Sequence, residues 1–577
     1  MSLFKPTEEQ ARIIGHGGSA FVAACPGAGK TRVLVERARV LLKDKASGRG
    51  IAFLSFTNAA VSELEQRLRQ EGLLPSPVFP HFIGTFDGFL WQFLVAPFGV
   101  PGCESPPRLI PDKDDRTIQL GSAPKLRLKC FDRATGEVVP ALAKECGFDP
   151  DKKVSRTKAY VSMAASLRER FLKRGELDFT DARALAVGRL QEKTLSTRLA
   201  RALAGRFSEV IVDEAQDCNP ADLQIIQWLR DAGIATKVIC DPHQSIYEFR
   251  GGVTEELFAF GQGFNAADQL AMSGNFRSSN FICKAIAAFR SSGARSDPDR
   301  ALGENSAVTT PVYILTYSGS SVPSSVGAKF RELVEAEGID LALCPVLAAT
   351  RLSGARAVGQ PSEANAQDLT LRLASAVTDF HFAFEMGNRK AALEKIHHVV
   401  LEIEGRMGAK TYRQYLVAEG IEPNVWRPKI LKLVRELRYD PATYPDSDAW
   451  HTKAKTLLAS HLPPHGQSIS QRLRRNEGLS RVLGVAPSFS PPVRTIHAVK
   501  GMEFPAVCVV LTTRTTRNIL DYLATGSPAD CAEDARKIYV AASRAQRLLA
   551  IATPKSQAER LKTLLVAKRV AMSVVSL

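Results

Sequence analysis

The chain reads as an α/β protein with two parallel-sheet domains, each interrupted by a mainly helical insertion. Three observations carry that expectation. At 577 residues the chain is too long for one hydrophobic core and should divide into several domains. Short apolar, β-rich runs recur at 20–25, 51–56, 209–212, 237–240, 312–317, 506–511 and 548–553, each followed by a helical pattern. Strands that alternate with helices build parallel sheets. Two long stretches, near 89–205 and 361–486, lack that rhythm and read as helical, as in RTKAYVSMAASLRERFLKR and KILKLVREL.

The order of these segments gives six expected pieces. Residues 1–88 and 206–262 form the first sheet domain, split by the insertion at 89–205. Residues 263–360 and 487–577 form the second, split by a short insertion at 361–486. The polar and proline-rich stretches GQPSEANA and PSFSPP bound that second insertion as hinges or linkers. The first insertion is basic between Lys152 and Arg206, and the whole chain carries a formal net charge of +16 with 45% hydrophobic residues. A globular protein with that surface suits a polyanionic partner, although the same charge also serves solubility alone. The opening MSLFKPTEEQ has no apolar signal core, and no apolar run approaches 18 residues. Neither secretion nor a membrane span is therefore expected, and a cytoplasmic location is. Ten scattered cysteines, none in a CxxC spacing, argue for reduced, mostly buried thiols rather than a zinc ribbon or iron–sulfur cluster.

The first apolar run opens onto AACPGAGKTRVL, residues 23–34. The strict phosphate-loop pattern asks for glycine where this chain has Ala24. The small residues Gly27, Ala28 and Gly29 let backbone N–H groups close on phosphate oxygens, and the following helix adds its N-terminal dipole. Lys30 is suited to neutralising the β- and γ-phosphates, and Thr31 to ligating magnesium. Taken alone, the loop also fits a strand-to-helix turn with no ligand. A second half-site appears in EVIVDEAQD, where Asp213 and Glu214 emerge at the carboxyl end of a strand. Open α/β sheets bind their ligands at that edge. Asp213 is suited to holding magnesium through water, and Glu214 to orienting and deprotonating an attacking water. Adjacent acids also cap helices, but the two half-sites together predict hydrolysis of ATP with Mg2+.

At this point a family resemblance enters. DEAQD and CDPHQSIYEFRGG resemble motifs II and III of superfamily 1A helicases of the UvrD/Rep/PcrA type. Other motifs follow in order. PTEEQ (6–10) is similar to the adenine-reading glutamine motif, with Gln10 as its key residue, and AACPGAGKT to motif I, where the family commonly has alanine at position 24. SFTNAAVSEL (55–64) resembles motif Ia, IGTFDGF (83–89) motif Ib, and LDFTDA (177–182) a short acidic motif. NFRSS (275–279) resembles motif IV, TIHAVKGMEF (495–504) motif V, and YVAASRA (539–545) motif VI. The resemblance implies two RecA-like domains, 1A and 2A, carrying the helical insertions 1B and 2B. It implies that Phe276, in place of the usual tyrosine, stacks on adenine, that Arg37 adds a contact to the base, and that Glu503 accepts hydrogen bonds from the ribose. Arg277 and Arg544 are implied as arginine fingers on the γ-phosphate, and Gln244 as the residue coupling nucleotide to strand.

The resemblance extends to a nucleic-acid track. Aromatic rings grip any base, because every base has a stackable face. Phe56, Tyr247 and Phe249 sit where family members place such rings, and each also fits a core role. Asn58, Thr85 and His497 are the polar contacts implied for phosphate or sugar. The implied function is an ATP-dependent translocase or helicase moving 3′-to-5′ on single-stranded DNA, or on duplex with a single-stranded tail, in repair or recombination. The alternative is a DNA-sensing ATPase subunit that works with a separate nuclease in anti-phage defence of the Gabija type. The short second insertion places DNA-dependent ATPase activity ahead of processive unwinding.

Overall fold

The computed structural model describes residues 4–43, 48–111, 113–246, 254–290, 297–359, 368–385, 389–407, 412–440, 442–462, 466–484 and 490–577. The chain divides into two compact units, Met1–Ala24 with Gly29–Met272, and Cys25–Ala28 with Ser273–Leu577.

The first unit is built on β1 (Ala20–Ala24), β2 (Gly50–Ser55), β3 (Phe82–Thr85), β4 (Phe207–Val212), β5 (Ala235–Cys240) and β6 (Gln269–Met272). They form one sheet in the order β6-β1-β5-β4-β2-β3, with every pair parallel. Sequences such as AFVAA and GIAFLS are apolar along their length because both faces of a parallel sheet are covered. The unit runs through Met272, beyond the boundary expected after residue 262, because β6 hydrogen-bonds along β1 and completes the sheet. Among its helices, α1 (Glu8–Gly15) starts on a capping box between Thr7 and Gln10, and α2 (Lys30–Lys43) follows the glycine loop directly. Next comes α3 (Asn58–Gln70), capped by the Thr57 hydroxyl.

The stretch at 89–205 contains α4 (Val154–Lys173), α5 (Phe179–Gln191) and α6 (Lys193–Arg206), and also two short ladders. It carries a small core of its own, which includes Leu126, Phe131, Phe148, Tyr160 and Phe171. The acidic LDFTDA segment has a structural task here. Asp178 caps α5, and Asp178 and Asp181 bind Arg133, while Asp181 also takes Lys113.

The second unit holds another all-parallel sheet of β7 (Val312–Tyr317), β8 (Val346–Ala348), β9 (Val493–Thr495), β10 (Phe504–Val510), β11 (Ala545–Pro554) and β12 (Met572–Ser576). Its order is β9-β8-β10-β11-β7-β12. Between β8 and β9 the chain forms α7 (Arg351–Ala357) and then a bundle that includes α8 (Leu369–Glu385), α9 (Arg389–Glu404), α10 (Pro423–Glu436) and α11 (Ser447–Ala459). The bundle has a separate core around Leu373, Phe380, Ile396, Trp426 and Trp450. Among the described residues no helix is long and apolar enough to cross a membrane. All ten cysteines are free thiols, seven of them buried.

The bundle is tied to the sheet of its own unit by one carboxylate. Asp379 on α8 takes Arg351 from α7 at 2.5 Å, Lys395 from α9 at 2.5 Å and Arg494 from β9 at 3.6 Å. Burial alone would raise the Asp379 pKa, but Lys395, Arg351 and Arg494 bring it down to about 2. A carboxylate depressed in the folded state contributes stability that is present above its unfolded value and lost as pH falls toward the folded one. Asp379→Asn is therefore expected to cost about 2 kcal/mol at neutral pH. Urea unfolding from pH 7 downward should show that gap constant to about pH 5 and closing only below about pH 4.

Candidate functional site

In an all-parallel sheet, every strand delivers its next residue to the same edge. In the first unit that edge collects Gly29 and Lys30 at the end of the glycine loop, Asp213 and Glu214 after β4, and Asp241 after β5. Because β1, β5 and β4 are adjacent, these groups meet. Gly27 and Gly29 turn the loop at φ +68° and +76°, a left-handed conformation that glycine adopts without a Cβ penalty. A Cβ at Gly29 would stand 3.3 Å from Gln10 Nε2, so the Gln10 amide lies against the loop and is itself buried. Ala28 is buried, and Thr31 is half-buried on the first turn of α2.

Lys30 Nζ donates to Glu214 Oε1 at 2.5 Å. Burial alone would lower the Lys30 pKa, but Glu214 and Asp213, with Asp241 further off, outweigh it and hold the ammonium above its ordinary range. Burial also pushes Asp213 up to about 6, against the pull of Lys30 and with the help of Glu214. Glu214 has φ +56°, a left-handed conformation in a residue with a Cβ, which costs on the order of 1–3 kcal/mol and persists only where the surroundings enforce it. Its N–H donates to Asp213 Oδ1 at 2.9 Å. Gln216 Nε2 donates to Glu214 Oε2, and Gln216 Oε1 accepts from the Asp241 N–H at 3.0 Å. Gln244 Nε2 in turn donates to Asp241 Oδ2 at 2.8 Å. Sequence reasoning had named Lys30, Glu214 and Gln244 but missed Gln216 and Asp241. Asp241 gave the same signal as Asp213, an acid directly after a buried strand.

Arg37 requires a correction. It is not poised at a base. It is buried, with Nη2 donating to Glu209 Oε2 at 2.5 Å, Nε to Glu209 Oε1 at 3.1 Å and Nη1 to the Ile14 carbonyl at 2.8 Å. Glu209 stands near the start of β4, away from the carboxyl edge where the loop lies. The arginine of α2 nearer the loop is Arg32, which pairs with Glu36 at 2.8 Å and Glu71 at 2.9 Å.

In the second unit, three expected nucleotide residues converge where β10 and β11 begin. Arg277 Nε donates to Glu503 Oε2 at 2.7 Å, and Nη1 to the Ser543 carbonyl at 3.0 Å. Arg544 is 2% exposed and donates to the carbonyls of Val540 and Met502 and to Ser543 Oγ. These three acceptors all lie in its own unit. Phe276 is exposed.

The expected strand contacts are more scattered. The Phe56 ring stacks on Phe86 at 5.3 Å between centroids and 16° between planes, so one face of it is used by the core. Asn58 is exposed at the start of α3. The Thr85 hydroxyl caps the short helix after β3 by accepting from the Gly88 N–H at 3.0 Å. His497 is half-buried just past β9, at the carboxyl edge of the second sheet. Tyr247 and Phe249 lie outside the described residues.

A glycine loop ending in a lysine, set opposite two acids on the carboxyl edge of a parallel sheet, defines a phosphate-loop α/β protein. The chain matches the UvrD/REP helicase N-terminal domain over residues 6–265 and the UvrD-like helicase C-terminal domain over 490–556, together more than half of its length. It belongs to the UvrD-like helicase family. It is similar to the probable DNA helicase II homolog of Mycoplasma capricolum, 26% identical over 332 residues, which are 54% of this chain and 44% of that protein. It is also similar to the ATP-dependent DNA helicase UvrD1 of Mycobacterium tuberculosis, 26% identical over 48% of this chain and 38% of that protein. The ATP-dependent DNA helicase PcrA of Staphylococcus aureus is 26% identical over 48% of this chain and 39% of its own length. The matches thus span less than half the length of these relatives.

The Arg37 geometry yields a test. Arg37→Ala strands the Glu209 carboxylate, which is 2% exposed, with Lys237 at 3.9 Å as partial relief. The expected cost is about 3 kcal/mol, the lower end for a broken buried pair. Thermal unfolding should show it while nucleotide affinity changes less than about twofold. Lost affinity at unchanged stability would restore Arg37 to the base.

Proposed function

We propose that this chain is an ATP-hydrolysing motor that moves 3′-to-5′ along single-stranded DNA. The observation that carries the reading is the Lys30–Glu214 pair, set beside Asp213 at a loop turned by two positive-φ glycines. The phosphates of ATP would compete with Glu214 for the Lys30 ammonium. Binding would then release the carboxylate that orients and deprotonates the attacking water. Thr31 and Asp213 are suited to hold Mg2+, which when bound supplies charge neutralisation at the phosphates. The buried Gln10 amide, packed at the loop, suits a base edge. Arg277 and Arg544 are assigned to the γ-phosphate, Glu503 to the ribose and Phe276 to the base. In that role Arg277 exchanges Glu503 for phosphate. The names of two of these relatives, both ATP-dependent DNA helicases, and the net charge of +16 support ATP and DNA as the two ligands. Within this reading the two units correspond to 1A with 1B and 2A with 2B.

Two substitutions separate binding from chemistry. Lys30→Ala removes charge from bound phosphate and is expected to weaken nucleotide affinity and abolish turnover. Glu214→Gln is expected to keep affinity within a few-fold while turnover falls by roughly 10²–10⁴, the range for a lost general base. Equilibrium nucleotide titration beside steady-state hydrolysis reads both. A Glu214→Gln variant with near wild-type turnover would sink the assignment.

Direction is read by streptavidin displacement from single strands biotinylated at either end. Displacement from the 5′ end alone is expected, and displacement from the 3′ end alone overturns the polarity. Binding should be largely indifferent to sequence and weaken with salt, with a log–log slope of roughly −0.7 per phosphate neutralised. DNA-stimulated hydrolysis without displacement at either end would favour a sensor over a motor.

A further inference from the structure

Gln216 is 2% exposed in the turn that follows Glu214, and its two amide ends face different partners. A carboxylate can only accept and a backbone N–H can only donate, so the amide orientation is fixed by its neighbours. Nitrogen faces Glu214 Oε2, and oxygen faces the Asp241 N–H at 3.0 Å. Glutamate in its ionised form could keep the second bond but not the first, and asparagine is one methylene too short to span the same gap. Beyond Asp241 the path continues. Its carboxylate accepts from Gln244 Nε2 at 2.8 Å and from the His243 N–H at 3.1 Å, and its carbonyl accepts from the Gln244 N–H at 2.9 Å. The strained backbone at Glu214 needs such a fixed environment, because a left-handed glutamate left unsupported would relax.

We propose that Gln216 is a positioning residue. It holds the Glu214 carboxylate in its water-activating orientation and ties that orientation to the Asp241–Gln244 segment. This rests on the reading of Glu214 as the hydrolytic base. Gln244 is the residue expected to couple nucleotide to strand, so the tie links the base to that residue through Asp241. Movement of Asp241 is transmitted to Glu214 through one side chain. Lys30 holds the other carboxylate oxygen, and the Gln216 tie persists when a nucleotide draws Lys30 away.

The experiment uses the full chain with two variants and four readouts: ATP turnover with single-stranded DNA, affinity for a fluorescent ADP analogue, thermal midpoint, and hydrogen exchange of peptides covering 237–246. Gln216→Glu keeps an acceptor for Asp241 and loses the donor to Glu214. Turnover should fall by at least about 10-fold, toward the roughly 10²-fold that a 1 Å misplacement costs. Nucleotide affinity should stay within about threefold of wild type, and exchange at 237–246 should be unchanged. Gln216→Ala loses both ties, so turnover should fall comparably and exchange at 237–246 should accelerate. A Gln216→Glu variant within twofold of wild-type turnover overturns the proposal. So does a parallel loss of affinity, thermal midpoint and turnover in both variants, the mark of a purely structural side chain. If the wild-type chain hydrolyses no ATP, the functional reading fails by itself. The exchange comparison still decides the tie to Asp241, and unchanged exchange in Gln216→Ala breaks it.

Discussion

The ion pair between Lys30 and Glu214 is the interaction on which the rest of the first unit's chemistry depends. An ammonium taken out of water is costly unless a carboxylate is fixed beside it. Here the fixing is done by topology. Adjacent parallel strands deliver the loop, the Asp213–Glu214 pair and Asp241 to one edge, and their combined negative charge keeps Lys30 cationic despite burial. The left-handed backbone of Glu214 and the amide of Gln216 then set which oxygen faces which partner. A site charged in this way is already arranged for an anion, which needs only to displace one carboxylate from one ammonium.

Much of this was legible in the sequence, and what was not has physical causes. The runs at 20–25, 209–212 and 548–553 could be recognised because strands covered on both faces are apolar throughout. β3 escaped because FIGT is only half-buried and short, and β8 because three residues carry no period. β12 was missed because MSVVS is half-buried or exposed throughout, at the edge of its sheet. The glycine loop and the acid pair were legible because phosphate chemistry needs them in fixed local spacings. Arg37 was misread because its true partner, Glu209, is 172 positions away, a distance over which no spacing rule operates. Gln216 stood inside a recognised motif, yet its task depends on the Asp241 N–H, 25 positions on, and on a strand pairing that sequence alone does not reveal.

The second unit shows the same contrast between local and distant information. The segments NFRSS, GMEF and ASRA each look like isolated charged or polar stretches. They meet because the first packs onto the start of β11, where Ser278 Oγ donates to the Ala545 carbonyl and the Ser279 N–H to the Gln546 carbonyl. That packing brings Arg277 to Glu503, and the Phe504 N–H donates to the Arg544 carbonyl. Arg544 donates from all three guanidinium nitrogens to oxygens of its own unit, so its charge is placed rigidly even though it is buried. Rigid placement is what electrostatic stabilisation of a developing charge requires.

Three buried or half-buried charge clusters in this chain therefore differ in kind, although each pairs opposite charges at short range. Glu209 at the amino end of its strand is met by Arg37 at both carboxylate oxygens and by Lys237, and Arg37 also donates to the Ile14 carbonyl. Asp379 with its three cations spans helices and sheet, so its charge is spent on joining them. Lys30 with Glu214 is instead bordered by a loop that two glycines keep free of side-chain bulk, at φ values few other residues adopt. What separates a structural pair from a functional one is then not the strength of the pairing. It is whether the pair lies beside backbone suited to bind a competing anion, and among these three clusters only Lys30 directly follows such a glycine loop.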